Sequence, residues 1–272
     1  KKANQAFPHF QQKEGLPFYN FWPTGSKIMP HTFIAQHLSK FLSFGEDADD
    51  TVMILMTNEN NDSINKIVKK RMIEVSNQGS NGKKIHSTYK RFRNYNAYTT
   101  YLGLKMLTDF DFSVQCNILY FNLSNQLPIC DQDSATLKLI AAMTEERLYM
   151  KHPTFISPYY GKPSLILYHL TRLIAAFDPT IFQKYKSTII EDLHMLNSKA
   201  NTPLERIIIQ TSLIRMGEKT ALPSTKDIEE VRTIQQKTFS FFQARPAYWC
   251  RPWIKSIFLN FEPVNYHFFS PT

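Results

Sequence analysis

Between residues 31 and 237 nearly every segment spaces its apolar residues as one face of an α-helix does, and almost none alternates with a period of two. In HTFIAQHLSKFLSF, Phe33, Ile34, His37, Leu38, Phe41 and Leu42 form one stripe. TVMILM opens a second helix that the pattern carries to about Val75. Further helices are predicted over 110–124, 133–149, 163–177, 179–196, 203–217 and 225–237, most of them opening on Asp, Ser or Thr, or with Pro in the first turn. The aromatic tail from 239 has mixed character, and its prolines argue against a central strand. Helix pairs that recur at roughly fifty-residue intervals can stack as a solenoid or close into a ring. The expected fold is therefore all-α: a single-domain α/α toroid of helical hairpins over 31–272. An irregular, proline-rich and aromatic N-terminal arm over 1–30 precedes it.

A chain of 272 residues has room for one such domain with a large core. Its net charge of +9 implies attraction to phosphate or to an anionic membrane face. Two basic runs stand out. KIVKKR at 66–71 reads as a solvated helix face, whereas YKRFRNY at 89–95 interleaves Arg with aromatics and could clasp a diphosphate. Neither lies in a nucleic-acid-binding module, so no nucleic-acid partner is expected. Cys116, Cys130 and Cys250 are odd in number and scattered, giving neither a disulfide framework nor a CxxC knuckle. No apolar run approaches the ~20 residues that span a bilayer. A reducing, cytoplasmic setting is favoured and peripheral membrane contact stays open, as does the oligomeric state. The chain starts KKANQAF, so a missing leader carries no weight.

The stretch GEDADDTVMILM sets Glu46, Asp47, Asp49 and Asp50 immediately before an apolar helix. Acids at a helix start cap unpaired N–H groups and meet the positive end of the macrodipole. Crowded carboxyls can also retain a proton at neutral pH. A second acidic pair, Asp109 and Asp111 in LTDFDFS, repeats the pattern and is the next candidate for ligand binding. Trp22, Tyr95 and Tyr98 are candidate cavity walls, with core packing as the alternative use. There is no Gly-rich phosphate loop, GxSxG elbow or HExxH. His169, in LYHLTRL, reads as a core histidine.

DADDT (Asp47, Ala48, Asp49, Asp50, Thr51) resembles the DxDDT signature of class II terpene cyclases. That family folds as an α/α toroid, and DFDFSVQCNILYF, DSATLKLIAA and PYYGKPSLILYHLTRLIAAF look like successive helices of such a ring. The resemblance implies acid-initiated cyclisation of an isoprenoid, with Asp49 as proton donor and Asp47 and Asp50 tuning it, and a small apolar ligand. No cofactor is implied beyond the Mg²⁺ that would accompany a bound diphosphate. Protein prenyltransferase β-subunits share the ring and use a zinc site of Asp, Cys and His. Cys130, Asp131 and Asp133 with His152 or His169 supply those residue types here, but no metal site is assigned. The alternative is a non-catalytic ligand-binding or carbohydrate-active toroid in which the Asp cluster caps a helix.

Overall fold

The structure is a computed structural model that describes residues 5–12, 14–20, 23–24, 46–57, 61–103 and 109–221. Beyond these it describes positions 224, 225, 228, 229, 231 and 253, and the backbone of 242–244 and 266–268. The protein is all-α. The helices are α1 (Ala48–Thr57), α2 (Asp62–Glu74), α3 (Phe112–Ser124), α4 (Asp131–Glu145), α5 (Leu148–Lys151), α6 (Pro153–Ile156), α7 (Pro163–Phe177), α8 (Lys186–Lys199) and α9 (Pro203–Arg215). Among the described residues the named strands are β1 (Phe242–Ala244) and β2 (Tyr266–Phe268), an antiparallel pair in which Phe242 faces Phe268. The helix expected over 31–44 and most of that over 225–237 lie outside the described residues, as does Trp22.

Helix boundaries moved where a local cap outweighed the apolar pattern. The helix expected to run from Thr51 to Val75 is two helices. Asn61, in extended conformation at φ −129° and ψ 100°, starts α2 by accepting a hydrogen bond from Ile64 N with its side chain. The 133–149 segment divides at Arg147, whose left-handed φ of 52° ends one helical run before α5. Residues 180–185 form a 3₁₀ turn ahead of α8. Gly217, at φ 88°, stops the chain after α9, where Glu218 N reaches back to Leu213 O.

The sequence anticipates one domain, and packing groups the chain into two compact units. The first is drawn from 1–85, 93–109 and 117–136, the second from 86–92, 110–116 and 137–272. In the first, Val52, Val68, Met72, Ile85, Tyr98 and Leu102 are buried. The arm residues Gln11 and Tyr19 pair through their backbones, and Tyr19 pairs in turn with Asp47, which pairs with Tyr101. In the second unit α9 packs on α7 and α8, with Leu165 and Ile208 at a buried contact flanked by Tyr160, Tyr168 and Leu204. Helix α3 is almost wholly buried, and its buried polar side chains, Asn117 and Asn122 among them, are hydrogen-bonded inside.

The loop after α2 turns back against its own helix end. Asn81 N donates to Glu74 O, and a Cβ on Gly82 would fall 1.8 Å from Ser76 O, a backbone atom. Gly82→Ala is therefore expected to cost about 2 kcal/mol, the scale of overpacking a fixed contact. Urea denaturation checks this, and a cost under ~0.5 kcal/mol would mean that the loop rearranges freely.

Candidate functional site: the acidic start of helix α1

The segment 46–51 is held from both sides before the helix begins. Asp47 N donates to Tyr19 O at 2.9 Å and Ala48 N to Thr100 O at 2.8 Å. Leu102 N donates to Glu46 O at 2.8 Å, and Thr51 Oγ1 accepts from Tyr19 N at 3.0 Å. Asp47 is the N-cap. Its Oδ1 accepts from Asp49 N at 2.6 Å and Asp50 N at 3.1 Å, and its carbonyl accepts the helical bond from Thr51 N. The other two acids are therefore in the first turn, close to Asp47 and to each other.

Asp47 and Asp49 are 7% and 6% exposed, which removes most of the water that would otherwise stabilise three negative charges. Burial, followed by the charges of Asp50 and Asp49, holds the Asp47 carboxyl well above the usual carboxylate range despite the two amides it accepts from. Burial and then Asp49 push Asp50 up to about 7. Asp50 Oδ2 is buried and meets no hydrogen-bond donor. Asp49 differs, because Asn117 Nδ2, from α3, donates to its Oδ1 at 2.6 Å. Capping and charge crowding thus coexist here, with one carboxyl turned to the backbone, one to an amide side chain, and one with an oxygen that meets no hydrogen-bond partner.

The other sequence candidates occupy different surroundings. Asp109 is buried in the first unit, and its carbonyl accepts from Thr100 N, the residue whose own carbonyl accepts from Ala48 N. Asp111, in the second unit, caps α3 through Ser113 N at 2.8 Å and Val114 N at 3.1 Å. It also accepts from Ser157 Oγ at 2.8 Å and Tyr159 N at 2.9 Å. Tyr98 is fully buried, and its hydroxyl donates to Asp133 Oδ1 at 3.0 Å. Burial and the Asp133 charge push its phenol well above the usual range. Tyr95 is half-buried, with its carbonyl accepting from Asn77.

Asp133 is the centre of a second buried polar network. Lys69 Nζ lies 2.6 Å from its Oδ2 and also donates to Pro128 O, so the solvated face expected of KIVKKR contributes one cation to the interior. Asn122 Nδ2 and Cys130 N donate to the same carboxylate. Within YKRFRNY, Arg91 pairs with Glu146 through both Nε and Nη2 and stacks over Tyr89 and Phe92. Burial, then Arg172 and Arg215, hold His169 down to about 3, so it is neutral at pH 7. Among the described residues no group of three or more His, Cys, Asp or Glu could hold a metal ion, and no helix is long and apolar enough to cross a membrane.

Asn117 was not a sequence candidate, although a signal existed: Gln115 and Asn117 are polar residues inside the apolar run SVQCNILYF and both are buried. A buried amide in such a run needs a polar partner, and Asp49 is one. No protein-family model matches the chain, and neither does any curated protein or solved structure.

Proposed function

We propose that the chain is a terpenoid cyclase-like α/α toroid protein in which the DADDT segment holds a proton for acid-initiated chemistry on a small apolar, isoprenoid-class substrate. The observation that carries this reading is Asp50 Oδ2, buried beside two further carboxyls and without a donor. A carboxyl so placed favours its protonated form at neutral pH. In the step proposed, Asp50 gives its proton to an alkene carbon, leaving a carboxylate on the protein and a carbocation on the substrate; loss of a substrate proton later closes the cycle. The resemblance to class II terpene cyclases would give that role to Asp49. The amide of Asn117 on Asp49 and the orphaned oxygen of Asp50 favour Asp50 here. With a diphosphate substrate, Mg²⁺ would arrive bound to it.

A second reading, a non-catalytic or carbohydrate-binding protein whose acids only start a helix, is favoured by the two amides on Asp47 Oδ1. Two measurements separate the readings. Incubation with polyprenyl diphosphates and squalene, with and without Mg²⁺, is expected to yield cyclised product that Asp50→Asn reduces by ~10²-fold or more. No turnover across the panel would count against the enzyme reading.

The second measurement is stability against pH. The folded pKa of Asp50 is raised from 3.8 to about 7, so the native state binds its proton more tightly than the unfolded chain does. The stability from this group is complete below about pH 3.8 and is lost as pH rises through 7. Asp50→Asn keeps the shape without the ionisation, and is expected to be more stable than the native protein by on the order of 2 kcal/mol at pH 8 and equal to it near pH 4. Asp47→Ala is expected to be less stable by ~1 kcal/mol through loss of the cap. If Asp50→Asn leaves stability at pH 8 unchanged, the carboxyl is an ordinary solvated one and the acid reading falls.

A further inference from the structure

Asn81 and Gly82, in SNQGSNGKK, form the one Asn-Gly pair in the sequence. They sit at the tip of the loop that follows α2. The base of that loop is fixed: Asn77, 2% exposed, donates through its side chain to Arg93 O and Tyr95 O, each at 2.7 Å, and accepts from Ile85 N at 2.8 Å. The tip folds back on the end of the helix, where the last carbonyls have no intrahelical donor. Asn81 N donates to Glu74 O at 2.9 Å, Gly82 N donates to Gly79 O at 3.0 Å, and a Cβ on Gly79 would lie 2.3 Å from Ile73 O. Asn81 itself is exposed. Backbone hydrogen bonds on a solvent-facing tip open more readily than the buried side-chain bonds at the base, so the tip can open while the base stays in place.

We infer that Asn81 is a site of self-modification: when the loop tip opens, the Gly82 amide nitrogen attacks the Asn81 side chain, and the residue becomes isoaspartate or aspartate. The chemistry needs only water. Gly82 N gives up its proton to solvent and bonds to Cγ of Asn81, while the Cγ–Nδ2 bond breaks and the side-chain nitrogen leaves as ammonia. The product is a five-membered succinimide, to which water adds at one of two carbonyls. Opening at Cγ gives aspartate with the ordinary main chain. Opening at the main-chain carbonyl leaves the chain running through Cγ, as isoaspartate. Glycine in the following position favours the attack, because no Cβ shields its nitrogen and its backbone is unrestricted. In the closed loop that nitrogen is engaged with Gly79 O and is withheld. Isoaspartate does not fit the closed loop. It adds one carbon to the main chain between Asn81 N and Gly82 N, the two amides whose bonds close the tip, and Gly82 already lies so near Ser76 O that a Cβ would fall 1.8 Å from it. Either product also sets a carboxylate beside the carbonyl end of α2, the negative end of its dipole. The inference is independent of the acid chemistry proposed above.

The test is to hold the full chain at mildly alkaline pH, folded and in guanidinium chloride, and to locate isoaspartate and aspartate by mass spectrometry of its peptides with electron-transfer fragmentation. Conversion is expected at Asn81 ahead of every other asparagine. It should run about tenfold or more slower in the folded chain than in the unfolded one, because the hydrogen bonds of the tip must first open. In the isoaspartate-containing protein, amide exchange at 81 and 82 should rise about tenfold or more and stay unchanged at Asn77, whose N–H donates to Ala97 O at the fixed base. Asn81→Gln, whose longer side chain does not close the five-membered ring, should stay unconverted and keep native exchange. Another asparagine converting first in the folded chain would overturn the inference. So would equal rates in the folded and unfolded chains, an Asn81 that stays intact in the folded chain on prolonged incubation, or native exchange at 81 and 82 after conversion to isoaspartate.

Discussion

Replacing Lys69 by Met is expected to lower the unfolding free energy at pH 7 by about 3–5 kcal/mol, the cost of leaving one member of a buried ion pair behind. Lys69 is 6% exposed and Asp133 3%, and their charged atoms are 2.6 Å apart. Without the ammonium, Asp133 keeps the Tyr98 hydroxyl, the Asn122 amide and Cys130 N as donors, but no positive charge. The acid side of the profile follows. The Asp133 carboxyl is held below its ordinary 3.8, the Lys69 and Cys130 hydrogen bonds outweighing the burial that alone would raise it. A depressed carboxylate contributes stability that is complete above 3.8 and is lost as pH falls through its lower folded value. In Lys69→Met the ammonium no longer offsets burial, so the Asp133 carboxyl is expected above 3.8; the variant then regains stability by protonating it, and the deficit should shrink as the solution is acidified toward pH 4. Urea denaturation at pH 7, 5.5 and 4 reads it out. A deficit below ~1 kcal/mol at pH 7, or one that does not change with pH, would mean that the pair is solvent-screened after all.

The second large effect is expected at Asp111, where Ala should cost about 3–4 kcal/mol. Its two oxygens accept from the first-turn amides of Ser113 and Val114, the Ser157 hydroxyl and Tyr159 N, among others. Loss of the cap accounts for ~1 kcal/mol. The remainder comes mainly from the Tyr159 amide, in a buried residue and left without an acceptor, at ~1–3 kcal/mol for such a group, while the Ser157 hydroxyl falls back on Ser113 Oγ at 3.0 Å. Asp111→Asn keeps the cap oxygen and gives up one acceptor, so about half the loss should return. The comparison also bears on function. If Asp111→Ala folds as stably as the native chain, its carboxylate is free for a ligand and the candidate role from the sequence strengthens; the expected loss assigns it to structure.

Helix content was readable from residues 61–221 because periodicity and caps act within a turn or two. Asp47 at a helix start, Pro163 and Pro203 in first turns, and Gly217 after the last turn of α9 are local signals with local consequences. The errors were also local: the asparagine cap at 61 and the left-handed Arg147 each interrupt a run that hydrophobic spacing alone would continue. The grouping into units was not readable, because 86–92 and 110–116 join segments more than twenty residues further along the chain.

For the acidic site the division falls inside a single motif. The sequence alone determined that Asp47, Asp49 and Asp50 crowd one helix start and that the first of them caps it, since those bonds span two and three residues. Tertiary structure decided what each carboxyl became. Asn117 reaches Asp49 across 68 positions, and Tyr19 closes on Thr51 across 32. The backbones around Tyr19 and Thr100 hold the start of the helix, burial removes the water, and Asp50 Oδ2 is left without a donor. Desolvation is a property of everything packed around a group, so no stretch of five residues can encode it.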